Sequence, residues 1–315
     1  MEQKLDIIAI GESIVEFSTD LKLSCAECLH KYYGGDALTT AIAALRAGSR
    51  TGFITKVGND AFKTFLLDSW NKEGLDISQV TLSEEQNGVY FTAHPSVNEK
   101  EFVYYRKKTA SSKLSVDDIS EDYIKSAKVI YASGMTQTLS MSAREAVAKA
   151  FKIAKENGIL TAYDPNYSPK TTSPEEAREY FNGIIDYTDI LFMSAKYDTI
   201  NILELESVEN LMKKLWDMGV GTVVIKSSEK GGYYTGSNGS TVFTDFFAKE
   251  VVDTTCSGDA FNGGFLHAIT HGYTPVEAAK IGSIVAGLQA GKIGAIKSIP
   301  YAEDVFKIYN GGCCE

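Results

Sequence analysis

The chain has 315 residues, with 41 Asp and Glu against 31 Lys and Arg for a formal charge of −10, the size of one large α/β domain or two ordinary ones. Its 44% hydrophobic and 23% charged residues predict a packed core and exclude wholesale disorder. So acidic a chain is a poor partner for nucleic acid or an anionic membrane. No apolar run reaches the ~18 residues of a membrane span, and Met1–Asp6 shows no signal-peptide pattern, which makes the cytoplasm the expected location.

In chain order, Asp6–Ile10 reads as a buried strand, and Ser13–Gly34 contains no good helix. Tyr33-Gly34-Gly35-Asp36 opens a helix over Ala37–Ala47, followed by a strand at Thr51–Val57. Gly88–Lys108 alternates like a hairpin with a polar turn around Ser96–Lys100. Strands follow at Lys128–Ala132, Leu160–Tyr163, Asp189–Met193 and Thr222–Lys226, all rich in Ile, Val, Tyr and Phe, as suits strands covered on both faces. Between them, Ser142–Glu145 reads as a capping box for a helix ending at Gly158, and Ser173–Glu176 and Thr274–Glu277 as two more, each with Pro at the first helical position. Such β-α-β alternation predicts a mostly parallel, doubly wound sheet in a single unit over residues 1–315. The segments at about 13–34 and 88–108 project from it as strand pairs where a lid would cover the carboxyl edge of the main sheet, the plainer alternative being a surface hairpin.

Five cysteines, an odd number on a long chain, argue against a disulfide framework. Cys25 and Cys28 form a C-x-x-C and Cys313-Cys314 lie at the extreme end, so scattered thiols are expected before a zinc site. The four histidines, His30, His94, His267 and His271, lack metal-ligand spacing, His30 near Cys28 aside.

The chemistry concentrates in Val251–Gly264, where small residues lead into a helix over Ala260 to about Ile269 with Asp259 in its first turn. Free N–H groups and the helix dipole make such a start an anion site. A carboxylate there would repel phosphate, and it makes sense if Asp259 takes a proton from a hydroxyl that then attacks phosphorus. The plainer alternative is an N-terminal cap. At the earlier glycine pair, Gly34 and Gly35 would let a ligand approach the backbone, and Asp36 could accept from hydroxyls.

Together these residues resemble the ribokinase-like (PfkB) family of carbohydrate kinases, from about Ile7 to Ala295. Asp253-Thr-Thr-Cys-Ser-Gly-Asp259 is similar to the family's D-T-x-G-A-G-D, and Gly34-Gly35-Asp36, with Ala41–Gly48 and Val57–Asp60, to its G-G-N signature. Asp164-Pro165-Asn166 resembles its D-x-N, Lys226–Gly231 its K-x-G-x-x-G loop, and Gly294-Ala295 its terminal G-A. The resemblance implies a Rossmann-like core with a small projecting β-sheet lid, ATP as phosphoryl donor, Mg²⁺, and Asp259 as base, with the amides of Cys256, Ser257 and Gly258 as anion hole. It places Lys226, Ser228, Gly231, Gly258 and Ser283 at the nucleotide. Asp198 is implied near a water-mediated Mg²⁺, and Asp253 and Thr255 as a candidate monovalent-cation (K⁺) site. Cys256 and Ser257 replace Gly and Ala of the pattern, Ser228 replaces a Gly, the N-x-x-E motif is not visible around Met193–Asp198, and no Walker A sequence occurs.

Glu101–Ser115 looks like the E-F-x-Y-Y-R-x-x-S-A-A-S-x-L-S stretch of 2-keto-3-deoxygluconate kinases, and Ser133-Gly134-Met-Thr136 like their S-G-I-T. This implies a sugar acid held by Arg106, with Glu12, Gly34, Gly35, Asp36, Tyr90, Tyr104, Thr136 and Asn166 around it. The arginine these kinases carry two residues beyond D-x-N is absent, Tyr167-Ser168 standing there, which keeps fructose and other neutral sugars open. A non-catalytic sugar-binding relative is a third reading. A nicotinamide dehydrogenase is disfavoured, since Ile10-Gly11-Glu12-Ser13 is not G-x-G-x-x-G. A homodimer is expected by analogy alone.

Overall fold

A computed structural model describes residues 4–96, 99–205, 207–248 and 250–311. The chain runs β1 (Leu5–Ile10), β2 (Ile14–Thr19), β3 (His30–Gly34), α1 (Asp36–Arg46), β4 (Thr51–Gly58), α2 (Lys63–Glu73), β5 (Val80–Ser83), β6 (Gly88–Ser96) and β7 (Glu99–Tyr105). It continues through α3 (Glu121–Ile124), β8 (Ala127–Ser133), α4 (Gly134–Gln137), α5 (Met141–Glu156), β9 (Leu160–Asp164), α6 (Pro174–Asn182) and β10 (Ile190–Ser194). The last part holds α7 (Val208–Asp217), β11 (Thr222–Ser227), β12 (Gly232–Ser237), β13 (Ser240–Asp245), α8 (Ser257–Thr270), α9 (Pro275–Ala290) and α10 (Ala302–Tyr309).

Nine strands form the main sheet in the order β13-β12-β11-β10-β9-β8-β1-β4-β5. It is parallel from β11 to β5 and antiparallel only at the β12–β13 edge. All six strands expected from sequence are present in it, each within one residue at either end. Because β1 lies between β4 and β8, the chain reverses its winding there, and loops from the carboxyl ends of β1, β8 and β9 open around one crevice. Alternation along β1 fixes the two layers: Ile7 and Ala9 enter one apolar core with α1, α8 and α9, while Ile8 and Ile10 enter the other with α5, α6 and α7.

The non-helical segments form a separate sheet, β3-β2-β6-β7. β6 and β7 are the expected hairpin, with Tyr90 opposite Tyr104; part of its turn, residues 97–98, lies outside the described residues. β2 joins β6 in parallel from far back in the chain, with Glu16 opposite Tyr90.

Two of the three expected capping boxes stand, at Ser173 and Thr274. The third is corrected. Ser140, not Ser142, caps α5 by accepting from the Ala143 amide at 3.1 Å, while the Ser142 hydroxyl bonds that of Ser140 at 3.0 Å. Helix α8 starts three residues before the expected Ala260. Cys25 and Cys28 are exposed free thiols, and Cys313 and Cys314 lie outside the described residues. Among the described residues no helix is long and apolar enough to cross a membrane.

Candidate active site

Residues from the ends of β9 and β11 and from the start of α1 converge on the start of α8. Asp164 ends β9, Asn166 follows it, Lys226 lies next to last in β11, Asp36 begins α1, and Asp259 occupies the first turn of α8. Asn166 has a positive φ of 44°, a backbone setting that Asn tolerates better than most residues. It turns its amide between two carboxylates, donating to Asp36 Oδ2 at 3.3 Å and Asp259 Oδ1 at 3.4 Å. Behind them Asp164, fully buried, accepts from Lys226 Nζ and, at 2.7 Å, from Asn262 Nδ2. Burial alone would discharge the Lys226 ammonium, but Asp164 outweighs it and raises the Lys226 pKa. Burial first, and then Asp36, push the Asp259 carboxyl well above the usual carboxylate range, with Lys226 opposing. A carboxyl made more basic this way is suited to accept a proton.

The start of α8 is unusual. Its N-cap is Cys256, at φ 60° and with no side-chain capping bond, a left-handed setting that costs an L residue about 1–2 kcal/mol. That cost falls on a cysteine where the family pattern has a glycine, which would adopt this φ freely. Asp259 bonds Asn166 through its side chain, so it does not act as a cap. The expected anion hole is corrected at one position: the Ser257 amide donates to Thr254 O at 3.1 Å. Among the described residues the Cys256, Gly258 and Asp259 amides have no protein partner, and they face the same helix end. Gly258 keeps its neighbour close, since a Cβ there would lie 3.4 Å from Lys226 Nζ.

Over this floor stands the small sheet. Tyr90, buried, stacks on Tyr104 at 5.5 Å and donates its hydroxyl to Glu16. Gly34 sits beneath the Tyr90 ring, and Gly35, at φ 131°, has no room for a Cβ against the Glu12 carbonyl. The two glycines are required by these close approaches. Glu12, buried at the end of β1, holds Arg106 through Nε at 3.0 Å and Nη2 at 2.8 Å, both on Oε2; its Oε1 is buried with no partner.

The description of a pfkB family carbohydrate kinase matches residues 4–302. The chain belongs to that family. A 5-dehydro-2-deoxygluconokinase of Clostridium perfringens is 30% identical over 313 residues, 96% of this chain and 92% of that one. One of Bacillus subtilis is 27% identical over 96% and 95% of the two chains. A solved 2-dehydro-3-deoxygluconokinase of Thermotoga maritima superposes at TM-score 0.89 over 98% of this chain and 99% of that one, at 20% identity. An E. coli protein described as a ribokinase II, solved with ATP and Mg²⁺, superposes at 0.89 over 97% and 99%, at 22% identity. Those two structures show the ribokinase fold.

In this carbohydrate kinase several expected residues do other work. Arg106 is no free clamp, because Glu12 holds it and Nη2 also reaches Met135 O at 3.4 Å. Thr136, fully buried, donates its hydroxyl to Ile10 O at 3.2 Å, and so ties α4 to β1 rather than meeting a sugar. Ser283 bonds Asp245 O and the Phe247 amide, each at 2.7 Å, which fastens α9 to the end of β13 and takes its hydroxyl away from a nucleotide. Asp198 is buried and accepts from the Tyr167 amide at 2.8 Å and the Ser194 amide, clamping two loops. Ser228 and Gly231 form the turn between β11 and β12, linked by Gly231 N to Ser228 O at 3.2 Å. Asp253 and Thr255 bond each other, and a lysine ammonium, from Lys100, sits on Asp253. Glu16, Lys100 and Asn262 had not been read as site residues from the sequence. The one signal for Glu16 was a lone carboxylate inside the apolar run Ile14-Val15-Glu16-Phe17.

Proposed function

We propose that this kinase transfers the terminal phosphoryl group of ATP to a primary hydroxyl of a deoxy-keto derivative of gluconate. The observation that carries the reading is Asp259, a buried carboxyl of raised basicity beside unpartnered amides and the Lys226 ammonium. Asp259 accepts the proton of the attacking hydroxyl, and Asn166 holds the carboxylate in line. The Cys256, Gly258 and Asp259 amides and Lys226 receive the charge that develops on the transferred group. The small sheet, as a lid, brings Tyr104 over the sugar, opposite Glu12 of the main-sheet body, and excludes water from the crevice.

The donor set fits MgATP. Asp259 offers a hard oxygen of the kind Mg²⁺ prefers, Asp164 and Asp198 lie behind it, and the unpartnered amides at the start of α8 and Lys226 suit phosphate oxygens. Among the described residues no three His, Cys, Asp or Glu side chains form a cage, in keeping with an ion that keeps waters and is held largely by phosphates. When bound, Mg²⁺ would supply charge neutralisation on the phosphates. No side chain stands free for K⁺ at Asp253, where Lys100 already sits.

For the substrate, relatives near 30% identity named for 5-dehydro-2-deoxygluconate weigh more than a fold neighbour at 20% named for the 2-dehydro-3-deoxy isomer. We therefore place the 5-dehydro acid first and the 2-keto-3-deoxy acid expected from the hairpin second. One observation favours a neutral ketose such as fructose instead: Arg106 is already neutralised by Glu12, and the orphaned Glu12 Oε1 suits a sugar hydroxyl. ADP release with MgATP on the two acids, fructose and ribose decides. A sugar acid should win by at least about tenfold in kcat/KM, and Arg106→Ala should remove that margin while changing fructose little. A fructose preference, or equal loss on both, would move the site to neutral sugars. The open edge of β7, with Val103 and Tyr105 exposed, is where a second copy would pair, and light scattering on the purified protein reads that.

A further inference from the structure

Asp253, whose side chain is 1% exposed, opens the loop that leads into α8 three residues before Cys256. Its Oδ1 accepts from the Thr255 hydroxyl at 2.6 Å, the Thr255 amide at 3.0 Å and Lys100 Nζ at 2.7 Å. Its Oδ2 accepts from the Gly294 amide at 3.2 Å. The loop is pinned from the other side as well: the Val252 and Asp253 amides donate to Ala290 O at 2.8 and 3.0 Å, and Gln289 Nε2 donates to Thr255 O at 3.0 Å. Every donor on this carboxylate belongs to the main-sheet body except one. Lys100 lies on β7, the outermost strand of the small sheet, 153 residues earlier in the chain.

We infer that Lys100 is a positioning residue, a tethered cation that neutralises Asp253 and so couples the seating of the small sheet to the geometry of the loop carrying the Cys256 and Gly258 amides. A buried carboxylate left without its cation would turn away or draw in solvent, and the amides three to five residues on would move with it. With the ammonium in place, the loop is set only when β7 is down over the crevice. A second consequence follows from the chemistry of the hole. Removing the lysine side chain leaves a cavity bounded by the Asp253 carboxylate and the Thr255 hydroxyl, which a free monovalent cation of ammonium size can fill. The intact protein therefore needs no such ion.

The inference rests on the kinase reading for its activity arm, and a second arm needs no substrate. Steady-state rates with MgATP and the preferred sugar are compared in potassium, ammonium, lithium and choline chlorides at equal ionic strength, for the wild type, Lys100→Ala and Lys100→Arg. The wild type should run equally in all four. Lys100→Ala in choline should lose at least about tenfold in kcat with a smaller change in sugar KM, and potassium or ammonium should restore most of it while lithium does not. Lys100→Arg should retain most of the rate. In parallel, and without substrate, the thermal midpoint of Lys100→Ala should rise in potassium relative to choline, and that of the wild type should not. Adding Asp253→Asn to Lys100→Ala should abolish the response. A wild type that is activated by potassium, or a Lys100→Ala variant at full rate in choline, would overturn the proposal. So would rescue by lithium and potassium alike. If no sugar is phosphorylated by the wild type, the kinase reading fails, and the thermal arm still decides the tether by itself.

Discussion

At the scale of single residues, the site is a balance of carboxylates. Asp164, Asp259 and Asp198 act on one ammonium, Lys226, while burial and then the neighbouring Asp36 push Asp259 upward. Its folded pKa lies above the unfolded one, so keeping it ionised at neutral pH costs folding free energy. Asp259→Asn removes that cost and removes the proton acceptor. The variant should lose about 10²–10⁴ in kcat and yet melt higher than the wild type at pH 7–8, as read by steady-state kinetics and calorimetry. A variant with undiminished turnover would refute Asp259 as base. The motif Asp253–Asp259 was legible in the sequence because its residue types make sense only at a helix start. Lys100 was not, since nothing local to a lysine in a hairpin announces a carboxylate that lies across the fold. Thr136 and Ser283, read toward ligands from their motif neighbourhoods, give their hydroxyl protons to backbone carbonyls, as buried hydroxyls commonly do.

Among the elements, the parallel strands were read with little error because burial on both faces leaves short, dense β-branched and aromatic runs. The strands missed were β5, β12 and β13. Two of these three are sheet edges, and β12, which lies next to one, carries Gly232 and Gly236. The start of α5 was misplaced because Ser140 and Ser142 both stand ahead of a helical pattern, and only the fold selects the one whose hydroxyl faces a free amide. Ser140→Ala should therefore cost about 1 kcal/mol, and Ser142→Ala a few tenths or less, measured by denaturant midpoints at unchanged m-value. Equal losses would restore the cap to Ser142.

Across the whole molecule, two sets of carboxyls pull stability in opposite directions with pH. Burial and then Asp164 push Asp198 up to about 7. Burial pushes Glu16 up to about 7 as well, against its bond from Tyr90. Unfolded carboxyls release their protons near 4, so between ~4 and ~7 the folded state binds more protons and stability falls as pH rises. Asp253 behaves the other way: burial would raise it, but Lys100, Thr255 and the Gly294 amide hold it down to about 2. Its contribution is present above the unfolded value and is lost as pH drops toward 2. The thermal midpoint should thus peak at about pH 4, and Glu16→Gln or Asp198→Asn should flatten the fall above it. A midpoint still climbing from pH 5.5 to 7.5 in the unliganded protein would contradict this assignment.

The parallel pairing of β2 with β6 also sets an order in time. Glu16 is synthesised 74 residues before its partner Tyr90, an interval of about 4–15 s at ordinary rates of translation. Until β6 leaves the ribosome, β2 and β3 can form only a two-stranded ribbon, which is marginal in water and open along both edges. The intervening β4, α2 and β5 meanwhile belong to the other sheet. The nascent chain must therefore begin its second layer, abandon it, lay down part of the first and then return. One link between the two, Lys100 to Asp253, closes only when four-fifths of the polypeptide has been made.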